Sequence, residues 1–116
     1  MEQTLTHSEW YVMDCLWQHS PSTVMELVTA LHHKVGWAKS TTITTLRRME
    51  DKGLVTVEIH GRTKYYTPAL ERDKAVRRET RSFLDRVYRG SVSLMMSAMA
   101  ERRELSKEQI AQLRAI

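Results

Sequence analysis

Hydroxyl-bearing and basic side chains between residues 39 and 52 have the composition of a surface that binds nucleic acid. At helical spacing this run separates into two faces. The inner face holds Thr42, Thr45, Leu46 and Met49. The outer face holds Ser40, Thr44, Arg47 and Arg48. Serine and threonine can bond base edges, whereas basic side chains bind phosphates more often. We therefore predict DNA contacts from Lys39, Ser40, Thr41, Thr44, Arg47 and Arg48. A capped, solvated helix is the alternative.

The residues after this helix predict a short β-hairpin with a basic tip. Gly53 follows Lys52 at the position where a helix needs a left-handed terminating residue. Strand-forming residues run from 54 to 59, His60-Gly61 supplies a turn, and a second strand returns through residues 64–66. The predicted DNA contacts of this hairpin are Arg62 and Lys64. One of Tyr65 and Tyr66 should face the core, although alternation along the strand does not say which. A helix followed by a basic hairpin predicts a winged helix-turn-helix.

Two capping boxes mark the helices that should brace this reading helix. Thr6 and Glu9 begin the first helix, and Thr23 and Glu26 begin the second. In a helix-turn-helix the later helix enters the major groove, so helix 3, from about Lys39 to Lys52, is the expected reader. Its N-cap is poorly specified. The core is expected to take up Trp10, Trp17 and Trp37.

Beyond Pro68 the pattern changes to amphipathic helices, which predicts a winged-helix domain over residues 1–70 and a helical dimerisation region over 71–116. The fold class is therefore mainly α with a small β-hairpin. Ser91 and Ser106 are the expected N-caps of the last two helices. Their apolar stripes lack an obvious partner within the chain, so we expect a second copy to cover them. The predicted dimerisation residues are Val76, Phe83, Leu84, Val87, Met95 and Met99. Alternatively, the helices fold back on their own head domain.

Composition excludes several function classes. The 116 residues carry a net charge of +4, but residues 1–33 contain no Lys or Arg, so the basic charge begins at Lys34, just before the expected reading helix. No long apolar run or signal peptide is present, and the single Cys15 cannot build a disulfide or a thiolate metal site. These features predict a soluble cytoplasmic protein with no membrane partner. Adjacent His32 and His33 point about 100 degrees apart on a helix and make poor co-ligands. No catalytic or phosphate-loop pattern is recognisable, so we predict no enzyme activity, cofactor or metal.

Several motifs in order resemble the penicillinase repressor, methicillin-resistance regulator and CopY group of bacterial winged-helix repressors. The resemblance is carried by Leu5-Thr6-x-x-Glu9-Trp10, Thr23-x-x-Glu26-Leu27, Thr41-Thr42-x-Thr44-x-Leu46-x-Arg48-Met49, Lys52-Gly53-Leu54, Tyr65-Tyr66-x-Pro68 and Ser82-Phe83-Leu84-Asp85. It covers nearly the whole chain. It implies a homodimer that binds a pseudo-palindromic double-stranded operator and represses genes, often resistance or stress genes, with an upstream sensor protein as a further partner.

The resemblance leaves the inducing signal open. Penicillin-sensing members are cleaved at an Asn-Phe bond, whereas this chain has Ser97-Ala98 at that place. Copper-responsive members carry Cys-x-Cys pairs, whereas this chain has only Cys15. Lys39 also replaces the proline often found at the start of the reading helix. Three alternatives stay open: a small-ligand- or metal-responsive winged-helix regulator of another family, a winged-helix protein-protein interaction module, and a DNA-binding protein without sequence preference.

Overall fold

The computed structural model describes residues 4–102 and 104–115. Its elements are α1 (His7–Gln18), β1 (Ser22–Thr23), α2 (Val24–Val35), α3 (Lys39–Asp51), β2 (Val55–His60), β3 (Thr63–Pro68), α4 (Arg72–Tyr88), α5 (Val92–Glu101) and α6 (Lys107–Arg114). The chain forms two compact units, a head unit (Met1–Arg78) and a C-terminal unit (Glu79–Ile116), which divide inside α4. The predicted fold class, mainly helical with a small β element, is confirmed.

Side-chain caps begin α1 and α2 as the sequence predicts. The backbone N–H of Glu9 donates to Thr6 Oγ1 over 3.2 Å, and the Thr6 N–H donates to Glu9 Oε1 over 2.8 Å. Thr23 and Glu26 repeat this exchange at 3.0 and 3.2 Å. Each box satisfies N–H groups that have no partner inside the helix, so both helix starts are fixed by local sequence.

The core of the head unit lies among the first three helices and the sheet. Its fully buried apolar side chains include Val12, Met13, Leu16, Leu27, Leu31, Leu46 and Met49. The three tryptophans pack against this core while staying partly exposed, as expected of large amphipathic rings. Trp17 also donates its indole N–H to the carbonyl of Leu70 over 2.9 Å, and Ala75 is buried in the same cluster. The first turn of α4 is therefore part of the head core.

The small sheet contains a strand that the sequence did not predict. In the described residues the strand order is β1-β3-β2, with antiparallel neighbours. In β1, Ser22 pairs with Tyr66, and Thr23 pairs with Tyr65. Tyr66 is the buried tyrosine, with 5% of its surface exposed, and Tyr65 is only half-buried. The expected hairpin is confirmed, but it is one side of a larger sheet.

Glycine and serine signals set the ends of the helices in the C-terminal unit. Arg89 and Gly90 both have positive φ, +52° and +80°, and the Gly90 N–H donates to the carbonyl of Leu84 over 2.8 Å, which closes α4. Ser91 accepts the N–H of Leu94, and Ser106 forms a capping box with Gln109. Both predicted N-caps are confirmed.

Among the predicted dimerisation residues, the structure leaves Phe83 and Val87 exposed at 38% and 54%. Val76, Met95 and Met99 are half-buried. Leu84 departs from the expectation of an open stripe, because the single chain already buries it. A side chain buried within one copy contributes little new apolar area to an interface. The exposed part of the stripe is therefore narrower than the sequence pattern suggested.

Candidate nucleic-acid interface

Helix α3 separates the two sets of side chains as predicted. On its inner face Thr42, Thr45, Leu46 and Met49 are each at most 2% exposed. On its outer face the predicted DNA contacts, Lys39, Ser40, Thr41, Thr44, Arg47 and Arg48, are all exposed. The inner residues fix the helix on the core, so the outer residues are presented on a rigid support.

The start of α3 lacks a side-chain cap. Ala38 occupies the N-cap position and offers no side-chain acceptor, while its carbonyl accepts the N–H groups of Thr41 and Thr42. The poor specification seen in the sequence is thus confirmed. Uncapped N–H groups at a helix start favour anionic partners, of which a DNA phosphate is one.

The end of α3 is closed by a glycine turn. Lys52 is the C-cap, Gly53 has φ +74°, and the Leu54 N–H donates to the Met49 carbonyl over 2.9 Å. This is the bond pattern of a Schellman motif, for which glycine is the favoured residue. The chain therefore leaves α3 in a fixed direction and enters β2 directly.

A buried ion pair ties the end of α3 to the start of α1. Lys52 Nζ lies 2.8 Å from Glu9 Oε2, and the Glu9 side chain is completely buried while that of Lys52 is 30% exposed. Burial alone would raise the pKa of Glu9, but hydrogen bonds from Lys52 and Thr6 outweigh it, and the net pKa is lowered. Glu9 therefore has two roles, as helix cap and as anchor. The sequence revealed only the first, because the second depends on a residue far along the chain.

The wing, formed by β2, β3 and their loop, presents its basic residues in the open. His60 pairs with Thr63, so Gly61 and Arg62 form the two-residue loop, one position later than the predicted His60-Gly61 turn. Gly61 has φ +65°, which suits the first loop position of a type II′ hairpin. Arg62 at the tip and Lys64 opposite Ile59 are both exposed.

A cleft of about 200 Å³ separates α3 from the wing. Its lining is Val24, Ile43, Leu46, Arg47, Glu50, Lys64 and Tyr66. The structure thus brings Arg47 of α3 and Lys64 of the wing to one cleft, beside the single carboxylate of Glu50. Arg48 makes no ion pair with Glu50 or Asp51 within the described part of the chain. Both arginines are accessible to phosphate.

In the described ranges 4–102 and 104–115, no three His, Cys, Asp or Glu side chains group closely enough to hold a metal ion. His32 Nδ1 instead lies 3.2 Å from the carbonyl of Trp37. None of the described helices combines the length and apolar character that crossing a membrane requires.

Comparison with known proteins agrees with this geometry. The penicillinase repressor family model matches residues 5–116. The penicillinase repressor of Bacillus licheniformis is 30% identical over 109 residues, which cover 94% of this chain and 85% of that protein. The methicillin resistance regulatory protein MecI of Staphylococcus aureus (strain N315) is 21% identical over 112 residues, covering 97% and 91%.

A solved structure supports the same assignment. The solution structure of the DNA binding domain of the repressor BlaI superposes with a TM-score of 0.56 and 28% identity, over 64% of this chain and 93% of that one. That structure is of a DNA-binding domain, which agrees with the winged helix seen here. The chain belongs to the penicillinase repressor family, and it is accordingly a DNA-binding transcriptional repressor and not an enzyme.

Proposed function

We propose that this repressor binds a pseudo-palindromic operator as a homodimer and represses resistance or stress genes. The observation that carries the proposal is the exposed outer face of α3, which offers hydroxyl and basic groups next to a basic wing in the same compact unit. Relatives named penicillinase repressor and methicillin resistance regulatory protein support resistance genes as the targets. A cytoplasmic location is part of this proposal, because bacterial transcription takes place there.

Base reading and phosphate binding are assigned to different residues. Ser40, Thr41 and Thr44, with Lys39, stand in the first half of α3, the half that meets base edges when a reading helix enters the major groove. The phosphate contacts are assigned to Arg47, Arg48, Arg62 and Lys64. Their exposure and freedom from ion pairs within the described residues support this role.

Dimerisation is assigned to residues 71–116, and DNA binding to residues 1–70. Support comes from the exposed apolar side chains of the C-terminal helices, Phe83, Val87, Val92 and Leu94. The other predicted dimerisation residues Val76, Met95 and Met99 are half-buried. Exposed apolar groups at this density favour association with another copy.

Induction is assigned to an upstream sensor protein, as an expectation from the family. The Ser97-Ala98 bond lies inside α5, where Ser97 is exposed and Ala98 is half-buried. Because Asn-Phe is absent there, a protease of the penicillin-sensing type is not expected to cut this bond efficiently.

Selection from fragments of the source genome tests this function. The full-length chain should retain fragments that contain an inverted repeat, and one duplex should bind two copies, as measured by sedimentation. A reporter driven by such a fragment should be silenced when the chain is expressed. Retention of fragments without a shared sequence, or a reporter unaffected by the chain, would contradict the proposal.

A further inference from the structure

A second cleft, of about 260 Å³, lies between the beginning of α1 and the outer face of α3. Its lining is Ser8, Ser40, Thr41, Thr44, Thr45 and Arg48. Five of these side chains end in hydroxyl groups, one is a guanidinium, and none is a carboxylate. Ser8 differs from the others in coming from α1 and in having no role in the reading helix.

The hydroxyl groups of this cleft are not all free to bind a ligand. Thr45 donates its hydroxyl to the Thr41 carbonyl over 2.8 Å, so it is committed to its own helix. The hydroxyls of Ser8, Ser40 and Thr44 make no hydrogen bond, and Arg48 makes no ion pair, within the described part of the chain. Several neutral donors around one fixed positive charge suit an anion with several acceptor oxygens, such as a phosphodiester.

We infer that this cleft binds one backbone phosphate of each operator half-site, with Ser8 donating from α1 while Arg48 donates from α3. Helix α1 thereby becomes a third DNA-contacting element beside α3 and the wing. A phosphate held from two helices also sets how deeply α3 enters the groove, because α1 and α3 pack on one core and are linked by the Glu9–Lys52 pair at 2.8 Å. The inference rests on the proposed function.

Two substitutions of Ser8 separate DNA binding from folding. Ser8→Ala removes one donor and should weaken binding about three- to tenfold per subunit. Ser8→Asp places a carboxylate in the cleft proposed to bind the phosphate and should weaken DNA binding much more. In the first turn of α1 the same carboxylate favours the helix dipole, so the thermal stability should be unchanged or raised. Ser20→Ala, at an exposed serine beyond the other end of α1, is the matched control and should bind as wild type does.

The phosphate itself is located by scanning the duplex that the wild-type protein selects from a random-sequence pool. Each phosphate in turn is replaced by a neutral methylphosphonate, and binding of wild type and Ser8→Ala is measured by fluorescence anisotropy. At one phosphate per half-site, neutralisation should weaken the binding of wild type strongly and the binding of Ser8→Ala clearly less. At all other phosphates the loss of affinity should be equal for the two proteins.

Each result of this scan decides the matter. Equal losses of affinity for both proteins at every phosphate would overturn the proposed phosphate site in this cleft. A Ser8→Asp variant that binds the duplex as wild type does would overturn it too. Wild type that selects no duplex at all would instead overturn the proposed operator binding, so the two failures are distinguishable.

Discussion

The proposed function divides the exposed residues of the head into base-reading and phosphate-binding residues, and Thr44 and Arg62 are one example of each. Thr44→Ala should relax discrimination at one operator position per half-site, costing about 1 to 3 kcal/mol on the selected duplex. Arg62→Ala should weaken binding to the selected and the scrambled duplex alike. It should also reduce the slope of the logarithm of the binding constant against the logarithm of salt concentration by about one unit per subunit. Salt titrations with both duplexes measure this. A Thr44→Ala loss that is equal on both duplexes would contradict the assignment.

Glu9 is a second single residue with a testable role, because its carboxylate makes the stability of the fold depend on pH. Its pKa is lowered in the folded chain, so its contribution to stability is present above the unfolded value of about 4.3 and is lost as pH falls through the folded pKa. Glu9→Gln should lower the free energy of unfolding at pH 7 by about 1 to 3 kcal/mol, since Lys52 keeps some access to water. Acidification should then destabilise this variant less than wild type.

Chemical unfolding at pH 7 and near pH 3 measures both effects. The control is Glu58→Gln, because the Glu58 side chain is 76% exposed and its contact is with exposed His60. This control should unfold as wild type does at both pH values. A Glu9→Gln variant with unchanged stability at pH 7 would show that the ion pair with Lys52 makes no net contribution to the free energy of unfolding.

Among elements, the junction of α3 and β2 depends on one backbone conformation. Gly53 has φ +74°, and an added Cβ would meet no atom within 4 Å. The cost of Gly53→Ala is therefore conformational, about 1 to 2 kcal/mol of unfolding free energy. Gly53→Asn should recover part of it, because asparagine tolerates the left-handed region better. Equal stability of wild type and Gly53→Ala in denaturant titrations would contradict this account.

The sequence predicted those structural features that depend on residues close together in the chain. The N-cap residues Thr6, Thr23 and Ser106 predicted three helix starts, and Gly53 predicted the end of α3. The two faces of α3 followed from helical period alone. The missed features depend on partners distant in sequence.

β1 is the clearest missed element. It has two residues, too few to show alternation, and it exists because Ser22 and Thr23 pair with Tyr66 and Tyr65 of β3. Tyr66 lies on the same face of the sheet as its pairing partners Ser22 and Val57, and that face packs on the core, whereas Tyr65 lies on the other face. The Glu9–Lys52 ion pair was missed for the same reason, and so was the cleft that Ser8 shares with α3.

In the whole molecule, the proposed dimer links two head units that each bind DNA weakly, so that together they bind one operator tightly. Truncation after Arg78 keeps Leu70 and Ala75, which belong to the head core, and removes the C-terminal unit. The remaining head should stay folded and monomeric and should bind the selected duplex far more weakly, because the two heads no longer bind as one unit. In the full chain, Val87→Glu should also favour the monomer, since Val87 is 54% exposed and apolar.

Sedimentation checks both proteins, and circular dichroism confirms that they are folded. Glu101→Gln, at an exposed polar position of α5, serves as the control and should remain dimeric. A full-length wild-type chain that sediments as a monomer at tens of micromolar, roughly the range of transient association, would contradict the assignment of residues 71–116 to dimerisation.

Sequence-specific operator binding is tested most directly by the affinity of the full-length chain for its selected duplex, measured beside a scrambled duplex of the same composition at about 0.15 M salt. The selected duplex should carry two inverted half-sites with centres about 10 base pairs, or a multiple of that, apart. It should bind about a thousandfold or more tighter than the scrambled duplex. Equal affinity for both duplexes would show a protein that binds DNA by charge alone, and it would contradict a sequence-specific repressor.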